Sequence, residues 1–373
     1  MKKLLLRSCI MKTRNLLTFL IILLTFTFAS ACGDDTNDAV QSTGFADSQI
    51  ILDYADEVVV PTYELLDTRA GEMQVAVDAL AAAPTDANLT AAKKAWVDMR
   101  LPWEQSEGML FGPVDTNGYD PAMDSWPLNK TDLDGVLAGE ATLDQPYVKS
   151  LGENLKGFHT IEYLLFGEAN DKVAEDLTPR ELEYLKATTA EMVRITGLLA
   201  KSWTVGVDGN QAYRDVFVTA GEPGNDKFPS QSAAAQQIVA GIVGILQEVG
   251  EGKIGGPFEA RDTTLVESQF SFNSLQDFTD NLKSVQNSYM GRVPEAGTSG
   301  KGLNQYVAAQ DAELNARVEA EIEAAIAALG EIPPPFRDAV LSDDAQVRAK
   351  IQAAIDAIAT LEATFQTDVL ELL

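Results

Sequence analysis

Residues 154–166 read NLKGFHTIEYLLF. Between Gly157 and Phe166 the only formally charged residue is Glu162, and His159 is the only other strongly polar one apart from Thr160. A helix this apolar on every side has to be wrapped by other elements, so it is read as central and buried. His159 and Glu162 stand three apart and share one helical face, flanked by Leu155, Phe158 and Phe166. A buried glutamate is costly unless it is paired, protonated or bound to metal. Gly157, one turn before Glu162, lets another backbone or a ligand come close.

Outward from this helix the chain reads as more helix. Segments 48–82, 86–109, 178–204, 231–249, 264–290, 302–329 and 345–371 carry apolar residues at three-and-four spacing. Thr178-Pro179-Arg180-Glu181 combines an N-cap, a first-turn proline and a glutamate at the third position. The breaks at 112–127, 221–229, 250–257, 291–302 and 330–335 are rich in Gly and Pro. No alternating β-branched run is long enough for a sheet. The expected fold is all-α, with two helical-bundle halves at 45–215 and 216–373. The GTSGKG turn at 297–302 fails the phosphate-loop pattern, having no Ser or Thr after Lys301 and no preceding strand.

Two further segments put polar residues where a bundle seam should be apolar. In 94–113, Arg100, Glu104 and Glu107 fall at i, i+4 and i+7, on one stripe. They read either as an acidic ligand pair with a compensating arginine or as a solvated, salt-bridged face. Trp96 and Trp103 beside the stripe indicate packing on that side. In 267–290, Glu267, Ser271, Ser274, Phe278, Asn281 and Val285 would share a helix face. That mixed seam either lines a wet internal site or forms a hydrogen-bonded helix contact.

Composition narrows the chemistry. The chain has 373 residues with 56 acidic and 28 basic side chains, a net charge of −28, which disfavours nucleic acid as partner. A single histidine excludes every site that needs two, including HExxH zinc peptidases. The two cysteines, Cys9 and Cys32, leave no disulfide framework or CxxC site in the rest of the chain.

Residues 1–31 hold five basic residues, no acid, and the apolar run LLTFLIILLTFTF at 16–28 before Ala29-Ser30-Ala31-Cys32. This is the pattern of a secretory signal, with Met11 able to start a complete one by itself. The cysteine after small residues resembles a lipobox, so Cys32 is the expected lipidation site, residues 32–44 a tether, and the lipid anchor the sole membrane contact. Removing the leader takes the charge from −28 to −33.

At the three polar tracts the sequence resembles a known family. GFHTIEYLLFG (157–167) contains the GxHxxE motif of the imelysin family as Gly157, His159 and Glu162. RLPWEQSEGMLFGPVDTNGYDPAMDSWPL (100–128) and ESQFSFNSLQDFTDNLKSVQNSYMG (267–291) resemble its other signature regions. The resemblance covers roughly 45–370. It implies a two-part all-helical fold with the GxHxxE helix near the centre, and a cell-envelope lipoprotein or periplasmic protein. With Gly33 and not Asp after Cys32, nothing marks it for inner-membrane retention, and the expected place is the outer membrane facing periplasm or exterior.

The family is associated both with a metallopeptidase and with iron uptake or regulation. One imidazole joined by carboxylates suits iron or another hard cation better than catalytic zinc. The expected metal set is His159, Glu162, Glu104 and Glu107. Arg100, Gly157, Glu267, Ser271, Asn273, Asp277 and Asn281 are the expected ligand-binding or supporting residues. Expected partners are a metal ion or metal-bearing ligand and an envelope transport protein. A peptidase, an acidic scaffold, or a purely structural His159–Glu162 pair are the alternatives.

Overall fold

Eight helices of ten residues or more carry the architecture in the computed structural model, which describes residues 44–373. They are α1 (Val60–Ala82), α2 (Asp86–Glu104), α3 (Gly157–Phe166), α4 (Pro179–Thr204), α5 (Gln231–Gln247), α6 (Ser274–Met290), α7 (Ala312–Gly330) and α8 (Ala345–Thr364). Helix α1 packs on α2 and α4, and α3 on α2 and α4; in the second half α5 and α7 each pack on α8, and α6 on α5 and α7. The halves meet where α2 and the turn Glu107–Met109 lie against α5 and α6. The sole strands among the described residues are the two-residue pair β1 (Arg292–Val293) and β2 (Thr298–Ser299), antiparallel with Arg292 opposite Ser299. The leader, Cys32 and the tether up to residue 43 lie outside the described residues.

Local sequence explains the helices. Thr178 Oγ1 accepts from the Glu181 amide and Glu181 Oε2 accepts from the Thr178 amide, closing a capping box at the start of α4. From there Tyr184, Leu185, Thr188, Met192, Ile195, Leu199 and Trp203 form one buried stripe. Helix α3 is buried at every position except Tyr163. Trp96 is buried against it and donates from Nε1 to the Phe158 carbonyl at 3.0 Å.

Several expected boundaries move. The helix read at 86–109 stops at Glu104, because the Ser106 amide and hydroxyl both donate to the Trp103 carbonyl and turn the chain aside. The next turn touches the second half directly: the Gly108 amide donates to Ser284 Oγ at 2.7 Å, and a Cβ on Gly241 of α5 would stand 2.1 Å from the Gly108 carbonyl oxygen. The helix read at 264–290 begins only at Ser274, so Glu267 and Ser271 belong to a loop and do not share a helix face with Asn281. The segment read at 302–329 is two helices, Leu303–Gln310 and α7. The Gly-rich break at 250–257 is helical, since α5 runs on through a π turn at Glu248–Gly255 into Gly256–Ala260. The division expected between 215 and 216 falls inside the helix Tyr213–Val218, and Gly44–Leu373 forms one compact unit.

Gly157 opens α3 at φ +79°, and a Cβ there would meet the Met123 carbonyl oxygen at 2.1 Å. Neither the dihedral nor the space admits a side chain. Gly157→Ala should therefore destabilise the fold by about 3 kcal/mol, read as a lower urea midpoint with unchanged slope.

Candidate metal centre

Helix α3 presents His159 and Glu162 as the spacing predicts, 3.0 Å apart between Nδ1 and Oε2. A carboxylate only accepts, so Nδ1 carries the proton. The other Glu162 oxygen accepts from the Phe270 amide (3.0 Å), the Ser271 amide (2.7 Å) and Ser271 Oγ (2.8 Å). Positive φ at Ser268 and Phe272 bends the loop so that these donors converge. Glu162 meets the ring at Nδ1, on the opposite side from the Asp124 and Glu267 carboxylates that gather with the imidazole, so it stands outside that set and orients the imidazole. The expectation that it is a ligand is corrected on this ground.

The opposite nitrogen, His159 Nε2, is buried without a hydrogen-bond partner. It lies 3.2 Å from Asp124 Oδ1 and 3.8 Å from Glu267 Oε1. One donor atom from each of His159, Asp124 and Glu267 lies within 4.8 Å of the others. Asp124 ends a short helix, Tyr119–Asp124, in a tract that reads as a break. Its second oxygen accepts from Trp103 Nε1 at 2.6 Å.

Glu104 and Glu107 do not reach the imidazole. They close around Lys253, whose ammonium lies 3.3 Å from Glu104, 2.7 Å from Glu107 and 2.9 Å from Glu267. Asn281 Nδ2 also donates to both glutamates, at 2.6 and 2.8 Å. All three acids are buried, which overturns the solvated-face reading.

Arg100 binds the two groups together, at 2.5 Å from Asp124, 2.7 Å from Glu267 and 3.3 Å from Asp277, with Glu104 in contact as well. Its guanidinium lies 4.8 Å from the Phe158 ring centre. Asn273 sits further out and donates to Asp277 at 2.7 Å. Sequence reasoning missed Asp124 and Lys253, both placed in Gly/Pro-rich breaks. The signal for Lys253 was a lone cation in a glycine-rich stretch whose only other charge is Glu251.

Burial opposes every charge here, and the neighbours decide the outcome. Burial would raise Asp124, but Arg100 and His159 outweigh it and hold the carboxyl far below its usual range. Glu267 is held at about 2, with Lys253, His159 and Arg100 overriding burial. Burial pushes Glu107 well up, and Glu248 and Glu267 add to it against Lys253. Asp277 is raised to about 6 by burial against the pull of Arg100. Burial would lower His159, but the carboxylates of Asp124 and Glu162 carry it well above 6.5.

The imelysin family profile, labelled a peptidase family, matches residues 59–365. The chain belongs to the imelysin family. Iron-regulated protein A of Synechococcus elongatus is 33% identical over 316 residues, covering 85% of this chain and 82% of that protein. A crystal structure assigned as an iron-regulated protein A precursor from Parabacteroides distasonis shares 30% identity at a TM-score of 0.77, covering 87% of this chain and 94% of that one. An imelysin-like protein from Psychrobacter arcticum has a TM-score of 0.66 at 12% identity, over 87% and 95% of the two chains, a likeness of fold alone. The all-α fold that the resemblance implied is the fold of this imelysin-family chain, and its helix α3 is buried.

Arg100→Met leaves buried carboxylates unpaired and should cost about 3–5 kcal/mol at neutral pH. The sign with pH is set by Glu267. Its lowered folded value of about 2 stabilises the fold above the ordinary 4.5, and that contribution fades as pH falls from 4.5 towards 2. The stability gap between parent and variant, from urea titrations across pH, should be widest near neutrality and narrow below about pH 4.

Proposed function

We propose that this imelysin-family protein holds a metal ion, iron first among candidates, on His159 Nε2, Asp124 and Glu267. The observation that carries the reading is the imidazole. Glu162 fixes the Nδ1 proton, and Nε2, without a hydrogen-bond partner, faces two carboxylates. A carboxylate that orients a ligating histidine from behind is a common support in metal sites. A donor set of one nitrogen and carboxylate oxygens favours a harder cation over catalytic zinc. The names of two relatives, which refer to iron regulation, support an iron context. The ligands are closed to solvent, with His159 at 3%, Asp124 at 4% and Glu267 at 0% exposure, which suits a small ion better than a peptide substrate.

In this reading the protein stands in the cell envelope, attached through a lipid on Cys32, and passes metal or a metal-bearing ligand to a transport partner. When bound, the metal supplies Lewis acidity or redox chemistry. Glu162 orients the imidazole, Arg100 holds Asp124 and Glu267 in place, and the apolar wall of α3 keeps water out.

Equilibrium dialysis of purified protein against ferrous, ferric and zinc ions tests the site. We expect one ion bound at the His159 set, an affinity lowered 100-fold or more in His159→Ala, and a 10–100-fold loss in Glu162→Gln. Binding unchanged in His159→Ala would refute the assignment. Cys32→Ala should move the protein from the membrane fraction to the soluble fraction of cells; an unchanged distribution refutes the anchor.

A further inference from the structure

Lys253 stands at the centre of a second carboxylate set. Glu104, Glu107, Asp124 and Glu267 each offer one oxygen within 4.8 Å of the others, a spacing that suits oxygens gathered on one cation. The Lys253 ammonium touches three of them and is fully buried. The fit is ionic and incomplete as hydrogen bonding. Glu267 Oε2 lies 2.9 Å from the ammonium outside hydrogen-bond geometry, and the buried Oδ1 of Asn281, whose Nδ2 bonds Glu104 and Glu107, has no partner.

Glu267 joins this set to the first. Its Oε1 faces His159 and Arg100, and its Oε2 faces Lys253. One carboxylate therefore spans two neighbouring cation positions, one addressed by an imidazole and one filled by an ammonium. A bridging carboxylate of this kind is how proteins hold two metal ions a few ångströms apart.

We propose that the Lys253 ammonium occupies a second metal position, bridged by Glu267 to the His159 set, which a tethered lysine fills in place of an ion. Five buried carboxylates (Glu104, Glu107, Asp124, Glu267 and Asp277) face two permanent cations, Arg100 and Lys253. Acid enough for two ions is thus present, and the lysine limits the protein to one. The π turn at Glu248–Gly255 is the element that carries Lys253 inward, and widened turns of this type often accompany functional positions. Glu107 and Glu248 line a cleft of about 220 Å³ between α5 and residues 107–111, which reaches the edge of this carboxylate set at Glu107.

Lys253→Met keeps most of the stem volume and removes the charge. After dialysis against Mn²⁺ or Zn²⁺, elemental analysis should count one more ion per chain than in the parent. Its thermal midpoint should fall in chelator and rise on adding metal by about 5 °C more than the parent's. Lys253→Arg should gain no ion; a gain there would place the extra ion elsewhere and overturn the proposal.

The double variant His159→Ala with Lys253→Met separates the two readings, because it should keep the extra ion while losing the first. Absence of an ion in the parent counts against the proposed function alone. A folded Lys253→Met chain with no added ion refutes the second metal position alone. A Lys253→Met chain that stays unfolded in metal as in chelator refutes it equally.

Discussion

A single guanidinium holds the two halves of this molecule in register. Arg100 leaves the last turns of α2, stacks near Phe158 of α3, and reaches Asp124 in its own half and Glu267 and Asp277 in the other. Burying one charge is costly, and burying several of mixed sign is tolerable only when their geometry leaves few of them alone. Arg100 can satisfy several carboxylates at once because its five donors are fixed in a plane. A lysine at this position would present one point of charge and could not divide itself among acids on different elements.

That constraint sets the division of labour among the acids. Asp124 and Glu267 each meet more than one of Arg100, Lys253 and His159 and are held ionised, whereas Glu107 beside Lys253 and Asp277 beside Arg100 meet only one and are driven towards their protonated forms. Glu162 plays a different part. It is held by three donors from a loop that begins more than a hundred residues later, so the aim of the imidazole is set by the second half of the chain.

Much of this was legible in the residues, and the failures lie where something other than helical period sets the backbone. The all-α class, the buried α3 and the pairing of His159 with Glu162 rest on helical period and on the cost of burying charge, both local properties. The boundary at Glu104 depended on Ser106 competing for a backbone carbonyl, and the loop before Ser274 on a carboxylate from another helix. Lys253 was hidden because a run of glycines reads as a break, yet the π turn absorbs them and keeps the helix going. Asp124 was hidden for the same reason, in a tract whose short helices are set by packing and not by periodicity. The loop before Ser274 and the tract around Asp124 are decided by distant partners, whereas the Glu104 boundary and the turn at Lys253 are local conformations that residue periodicity does not report.

The separations involved also bear on how the molecule assembles. Arg100 and Glu267 are 167 residues apart in the chain, and Lys253 and Glu104 are 149 apart. Contacts of such range carry the full entropy cost of closing a long loop before they return any energy. The helices of each half can form on short-range contacts, whereas the charged cluster loses its water only when both halves dock. Neither half alone contains a complete set of donors: Asp124 and His159 come from one, Glu267 and Lys253 from the other. The cluster is therefore a readout of the finished topology, absent from any fragment or partly folded chain.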